Sequence, residues 1–74
     1  MPHISIKQLP IEPDERRQSA LVREVTEAVD STLGAEESVI SIALESAAPE
    51  VWREHVYVPE VASRRELLRK VPRY

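Results

Sequence analysis

The chain has 74 residues, a net charge of −3, no Cys, no Phe, one Trp and two Tyr. Without Cys there is no disulfide and no thiolate metal site, and two isolated His residues do not supply one. The acidic balance argues against general nucleic-acid binding, and no apolar run approaches the roughly 20 residues of a membrane span.

The first element is "HISIKQL" at 3–9, where His3, Ser5 and Lys7 alternate with Ile4 and Ile6. That period belongs to a half-buried strand. The prolines of "PIEP" break it. From Asp14 the period changes: Leu21, Val25, Ala28, Val29, Thr32 and Leu33 fall on one stripe, with Arg23, Glu27, Asp30 and Ser31 opposite. Pro13 suits a first helical turn and Asp14 and Glu15 suit its positive dipole end. Gly34, the only glycine, reads as the stop. The spacing predicts a helix over 13–33.

"AEES" is a turn, and "VISIAL" at 39–44 is apolar on both faces, as in a strand covered from both sides. Two strands joined through such a helix form a right-handed β-α-β unit with parallel strands. Beyond it, "PEVWREHV" (49–56) reads as a short helix opened by Pro49, and "YVP" (57–59) as extended. A second short helix follows, with Val61, Leu68 and Val71 on one stripe and Pro72 as its end. The fold class is therefore α+β: one β-α-β unit plus short C-terminal helices in a single domain over 1–74. A two-stranded parallel sheet does not stand alone in water, and a chain this short buries only about 60% of its unfolded surface. A homo-oligomer is expected, its sheet completed to four strands by a second copy.

Charge is unevenly spread. Residues 1–52 hold four Lys/Arg against ten Asp/Glu, whereas 53–74 hold six against three. The basic tail reads as a solvated segment or subunit contact, or as a positive lid over an anionic substrate. The start lacks the basic and apolar regions of a signal peptide, so a cytoplasmic protein is expected.

Pro2 is the candidate catalytic residue. Proline after Met favours removal of that Met, which leaves a secondary amine at the head of the first strand. An α-amino group ordinarily titrates at about 7.7–8.0. An apolar pocket or neighbouring cations disfavour the ammonium and draw the group toward neutrality, where a general base works best. The pyrrolidine ring also narrows where the nitrogen can point. The plainer reading is that Pro at position 2 reflects Met processing alone.

"MPHISIK…LP…DERR", "ESVISIALES", "APEVW", "VYVPEV" and the closing "KVPRY" together resemble the 4-oxalocrotonate tautomerase family, and most of all a bacterial subgroup with a longer C-terminal tail. The resemblance covers nearly the whole chain and rests on the order and spacing of these motifs. It implies the tautomerase fold and a keto–enol tautomerase acting on a small 2-oxo or enol carboxylic acid, with Pro2 as general base and no cofactor. It further implies that Trp52 lines the pocket. A core or interface anchor is the other reading of Trp52, and the two are compatible because pockets in this family form between subunits.

Two arginines of the archetypal enzyme are not matched. Their positions fall at Glu12 or Pro13 and at Ile40, none of them basic. Arg16 or Arg17 at the helix start, and Lys70 or Arg73 in the tail, are the candidate substitutes for the carboxylate clamp. Arg17, Lys70 and Trp52 are taken as the substrate-binding set. A dimer is expected in preference to a hexamer, because the basic tail obstructs further stacking.

Other residues carry plainer readings. His3 points away from Pro2 on its strand and reads as structural or interfacial; His55 reads as a surface residue. Glu45, Glu50 and Glu54 read as strand-end and helix-surface carboxylates. A carboxylate paired with Pro2 would suit a hydratase or dehalogenase on the same scaffold, and Glu45 and Glu50 are the candidates. A non-enzymatic oligomeric module, with Pro2 incidental, is the remaining alternative.

Overall fold

A computed structural model describes residues 1–10 and 13–74. Strand β1 (His3–Gln8) leads through helix α1 (Glu15–Leu33) and a 3₁₀ turn (Glu37–Val39) to strand β2 (Ser41–Ser46). The strands pair in parallel with His3 opposite Ser41 and Gln8 opposite Ser46. This is the expected β-α-β unit.

Local chemistry accounts for the ends of α1. The Asp14 carboxylate accepts from the Arg17 N–H at 2.8 Å, so the helix starts two residues later than the proline suggested. Pro13 therefore stands before the cap and not in the first turn. At the other end Gly34 takes the left-handed conformation, φ 68°, and its N–H closes on the Asp30 carbonyl at 3.0 Å. A side chain there would meet no atom within 4 Å, so glycine is needed for its backbone freedom and not for space. The two prolines of the 10–13 break flank Ile11 and Glu12, which lie outside the described residues.

Ile4, Ile6, Ile42 and Leu44 share one sheet face. Gln8 and Leu44 line one hollow with Gln18 of α1, so this is the helix side. Of the predicted helical stripe, Leu21, Val25 and Val29 are half-buried, but Ala28, Thr32 and Leu33 are exposed. The stripe is wider than one short sheet can cover. The second strand likewise starts at Ser41 and not Val39, because Val39 closes the 3₁₀ turn by donating to the Glu36 carbonyl at 3.0 Å.

The C-terminal region departs most from expectation. Helix α2 (Pro49–Trp52) does not stop at Val56. It continues as a wide, π-helical segment (Arg53–Ala62) through Tyr57–Pro59, the stretch expected to be extended. Proline normally drives its predecessor out of helical geometry, and in an α-helix the Pro59 ring would strike the carbonyl of His55. The wider turn, with Ser63 N–H bonded to the Val58 carbonyl at 3.0 Å, accommodates the ring. Two tertiary contacts support it: Val56 is buried, and Glu60 pairs with Lys7 of β1. The second short helix is reduced to a 3₁₀ turn (Arg65–Leu67), after which the chain runs irregularly. Leu68 is half-buried and Val71 is 48% exposed, so no apolar stripe is seated there.

Among the described residues Val56 is the only buried apolar side chain. The accessible surface is 6108 Å², whereas a compact folded chain of this mass exposes about 4,600 Å². The radius of gyration is 13.8 Å, against about 11 Å for a compact chain of this length. The unit is a slab 19 Å thick along its shortest axis, with apolar side chains at its surface.

Candidate functional site

Pro2 stands immediately before β1 and is half-buried, while Met1 is fully exposed. The Pro2 carbonyl accepts from the Ser41 N–H at 3.2 Å, which ties the head of the chain to the start of β2. His3 turns to the opposite sheet face, where its Nδ1 lies 2.6 Å from the Ser41 hydroxyl oxygen. The expected structural role of His3 thus acquires a definite partner. Ile40, at one of the two unmatched arginine positions, is half-buried beside Ser41. Pro13 is half-buried and holds no charge, and Glu12 lies outside the described residues.

The other predicted site residues lie elsewhere in the chain. Parallel strands end together, so β1 and β2 both finish about 20 Å from Pro2, six residues at the usual rise. Helix α1 begins after that far end, and its exposed Arg17 with it. Trp52 also follows the far end, through Ala47 and Ala48, and is half-buried in α2. Lys70 is exposed in the tail, which is pinned at its tip: the Tyr74 ring packs on Tyr57 at a centroid separation of 5.7 Å. The Arg53 guanidinium lies 5.7 Å from the centre of the same Tyr57 ring. Arg17 and Trp52 thus belong to elements that border the far ends of the strands, where Gln18 shares a hollow with Gln8 and Ser46 and Val51 shares one with Lys7 and Ser46, and the tip of the tail packs on the helical segment that follows Trp52.

At the far end Lys7 pairs with Glu60 and lies 3.9 Å from Glu45. The hydrogen bond that Lys7 donates to Glu60, and then the charges of Glu60 and Glu45, hold the lysine above its ordinary titration range despite some desolvation. Glu45, one candidate base, is thus engaged with a lysine, and Glu50 is exposed in the first turn of α2. Both belong to the end of the sheet remote from Pro2. Hollows lie between Lys7, Val51 and Val56, and along α1 between Gln18 and Asp30; Pro2 lines neither. Among the described residues no group of three His, Cys, Asp or Glu side chains could hold a metal ion, and no helix is long and apolar enough to cross a membrane.

Sequence reasoning missed Ser41, Lys7, Glu60 and the Arg53–Tyr57–Tyr74 stack. The signal for Ser41 was available in outline, since parallel pairing sets the first residue of one strand against the first of the other. Lys7–Glu60 and Tyr57–Tyr74 join positions far apart in the chain, for which no local pattern exists, whereas Arg53 and Tyr57 are four apart on one helical segment.

Comparison with known proteins gives a consistent result. A family model described as "Tautomerase enzyme" matches residues 2–62, beginning at Pro2. The chain is 40% identical over 74 residues to "Tautomerase PptA" of Escherichia coli (strain SMS-3-5 / SECEC), covering 100% of this chain and 97% of that protein. It is also similar to the solved structure of TomN, a 4-oxalocrotonate tautomerase homologue in the tomaymycin biosynthetic pathway. The TM-score there is 0.61 at 29% identity, over 88% of this chain and 95% of that one. YwhB, a homologue of 4-oxalocrotonate tautomerase, gives a TM-score of 0.56 at 38% identity, over 64% of this chain and 75% of that one.

Proposed function

The chain belongs to the tautomerase family, and on that premise we propose that it carries out keto–enol proton transfer on a small 2-oxo or enol carboxylic acid with Pro2 as general base. Removal of Met1 exposes the secondary amine. The uncharged amine takes the hydroxyl proton of the enol, and the resulting ammonium returns a proton to the adjacent carbon. The keto acid leaves with the atoms the enol brought. Arg17 and Lys70 hold the substrate carboxylate, and Trp52 walls the pocket and offers its Nε1–H toward the carbonyl oxygen.

The observation that carries this reading is the position of Pro2: half-buried at the head of β1, tethered through its own carbonyl, with an accessible Met1 before it. The placement of Arg17 and Trp52 in elements that border the far ends of the strands supports a site built from two chains. So does the surface, which exceeds that of a compact chain by about 1,500 Å². An excess of that size on each of two chains suits an obligate dimer interface of 2,000–5,000 Å² in total. In this reading each 1–74 domain pairs with a second copy, closing a four-stranded sheet in a cytoplasmic dimer.

The test uses the Met-processed protein, verified by intact mass, and follows ketonisation of phenylenolpyruvate or 2-hydroxymuconate by ultraviolet absorbance. Pro2→Ala is expected to lose at least 100-fold in kcat, within the range general-base catalysis supplies (about 10²–10⁴). Equal rates for the two proteins would remove Pro2 from the mechanism.

A further inference from the structure

We infer that Ser41 and His3 form a positioning pair that aims the Pro2 nitrogen, an inference that rests on Pro2 being the base. A residue at a chain terminus frays unless it is tied down. For Pro2 the ring fixes φ, so the torsion left to aim the nitrogen relative to the sheet is ψ, the rotation about its Cα–C bond. What lies beyond that bond is the peptide unit joining Pro2 to His3. Ser41 holds this unit at its carbonyl and holds the side chain of the residue that follows it. Its N–H donates to the Pro2 carbonyl at 3.2 Å, and its Oγ lies 2.6 Å from His3 Nδ1.

The two contacts differ in kind. The carbonyl bond belongs to the backbone ladder and survives any side chain at 41. The hydroxyl–imidazole bond exists only because His3 and Ser41 are direct partners in the parallel register. Ser41 is delivered to that place by the 3₁₀ turn before it, through Val39 N–H to the Glu36 carbonyl at 3.0 Å and Ile40 N–H to the Glu37 carbonyl at 3.2 Å. Because successive strand residues point to opposite faces, the His3 ring anchors the peptide from behind and leaves the side of Pro2 open to a substrate. His3 and Ser41 therefore touch no reacting atom; they restrict where the base can point.

The experiment compares His3→Ala, Ser41→Ala, the double variant, and the conservative His3→Asn and Ser41→Thr, all Met-processed, with Pro2→Ala alongside. With one side-chain anchor removed, the nitrogen spends much of its time misaimed, and kcat is expected to fall about 3- to 10-fold with KM unchanged. The double variant is expected to lose no more than either single one, because both remove the same bond. His3→Asn and Ser41→Thr keep a hydrogen-bonding group in place and are expected to recover most of the rate. Should Ser41→Ala fail to fold, His3→Ala and its recovery in His3→Asn decide the matter, since His3 is exposed. A kcat within twofold of wild type in His3→Ala, a loss confined to KM, or additive losses in the double variant would overturn the pair while leaving the Pro2 mechanism intact. Full activity in Pro2→Ala would overturn both.

Discussion

Val56 and Val58 offer a direct test of how the C-terminal helix is held. They are the same residue type, two positions apart in one helical segment, yet Val56 is 6% exposed and Val58 is 41% exposed. Val56 closes the hollow that it shares with Lys7, Ala47 and Val51. Truncation to Ala removes two carbons, about 1.6 kcal/mol of transfer free energy when fully buried, and the unfilled space adds to it. Val56→Ala should therefore cost about 2 kcal/mol, and Val58→Ala about half as much. For a domain of this size 1 kcal/mol moves Tm by about 4–8 °C, so Val56→Ala should melt about 8–16 °C lower. Thermal unfolding followed by circular dichroism, at one fixed protein concentration because association shifts Tm, separates the two variants. Equal losses would mean that burial within the single chain does not govern this helix, and that Val58 is covered by something outside it.

Two further outcomes follow from the ends of the elements. Asp14→Ala removes the cap on the Arg17 N–H and should cost about 1 kcal/mol, read as a lower urea midpoint with an unchanged slope. Lys7, whose folded titration lies above its ordinary value, contributes stability that is complete below the unfolded value of about 10.4. That contribution is lost as pH rises through the raised folded value. Urea midpoints at pH 8, 10 and above 11 should thus fall more steeply for the wild type than for Lys7→Met, with parallel behaviour below pH 10. A Lys7→Met midpoint that falls as steeply as the wild type would dissociate the alkaline transition from the Lys7–Glu60 tie.

The two ends of the chain differ in how far local pattern reaches. Around α1 every boundary signal acts within one turn. The Asp14 carboxylate needs only the N–H three residues on, and Gly34 only its own freedom at φ 68° with the carbonyl four residues back. After Trp52 the same rules misled. Pro59 is a strong local breaker, and an extended Tyr57–Pro59 follows from it, but burial of Val56 and the Lys7–Glu60 pair kept the segment helical in a wider form. A local preference of a few kcal/mol was outweighed by contacts with residues some fifty positions away.

The candidate site divides along the same line. Pro2 could be named as a candidate because the chemistry proposed for it depends on position in the chain and on the alternation of β1, both written in seven consecutive residues. Trp52, Arg17 and Lys70 were named by resemblance and by charge, and neither carries distance. The pair of His3 and Ser41 lies between these cases: both residues are visible in the sequence, but their meeting depends on the parallel register.

The β-α-β order through Ser46, the glycine stop of α1 and the identity of the base candidate follow from amino-acid order alone, because periodicity, capping and amine chemistry operate over a few bonds or a single turn. Which residue stands opposite which, and which strand residue ties down the C-terminal helical segment, were decided only by tertiary structure. Those relations join residues 38 to 53 positions apart, and at such range only packing, not local preference, determines who meets whom.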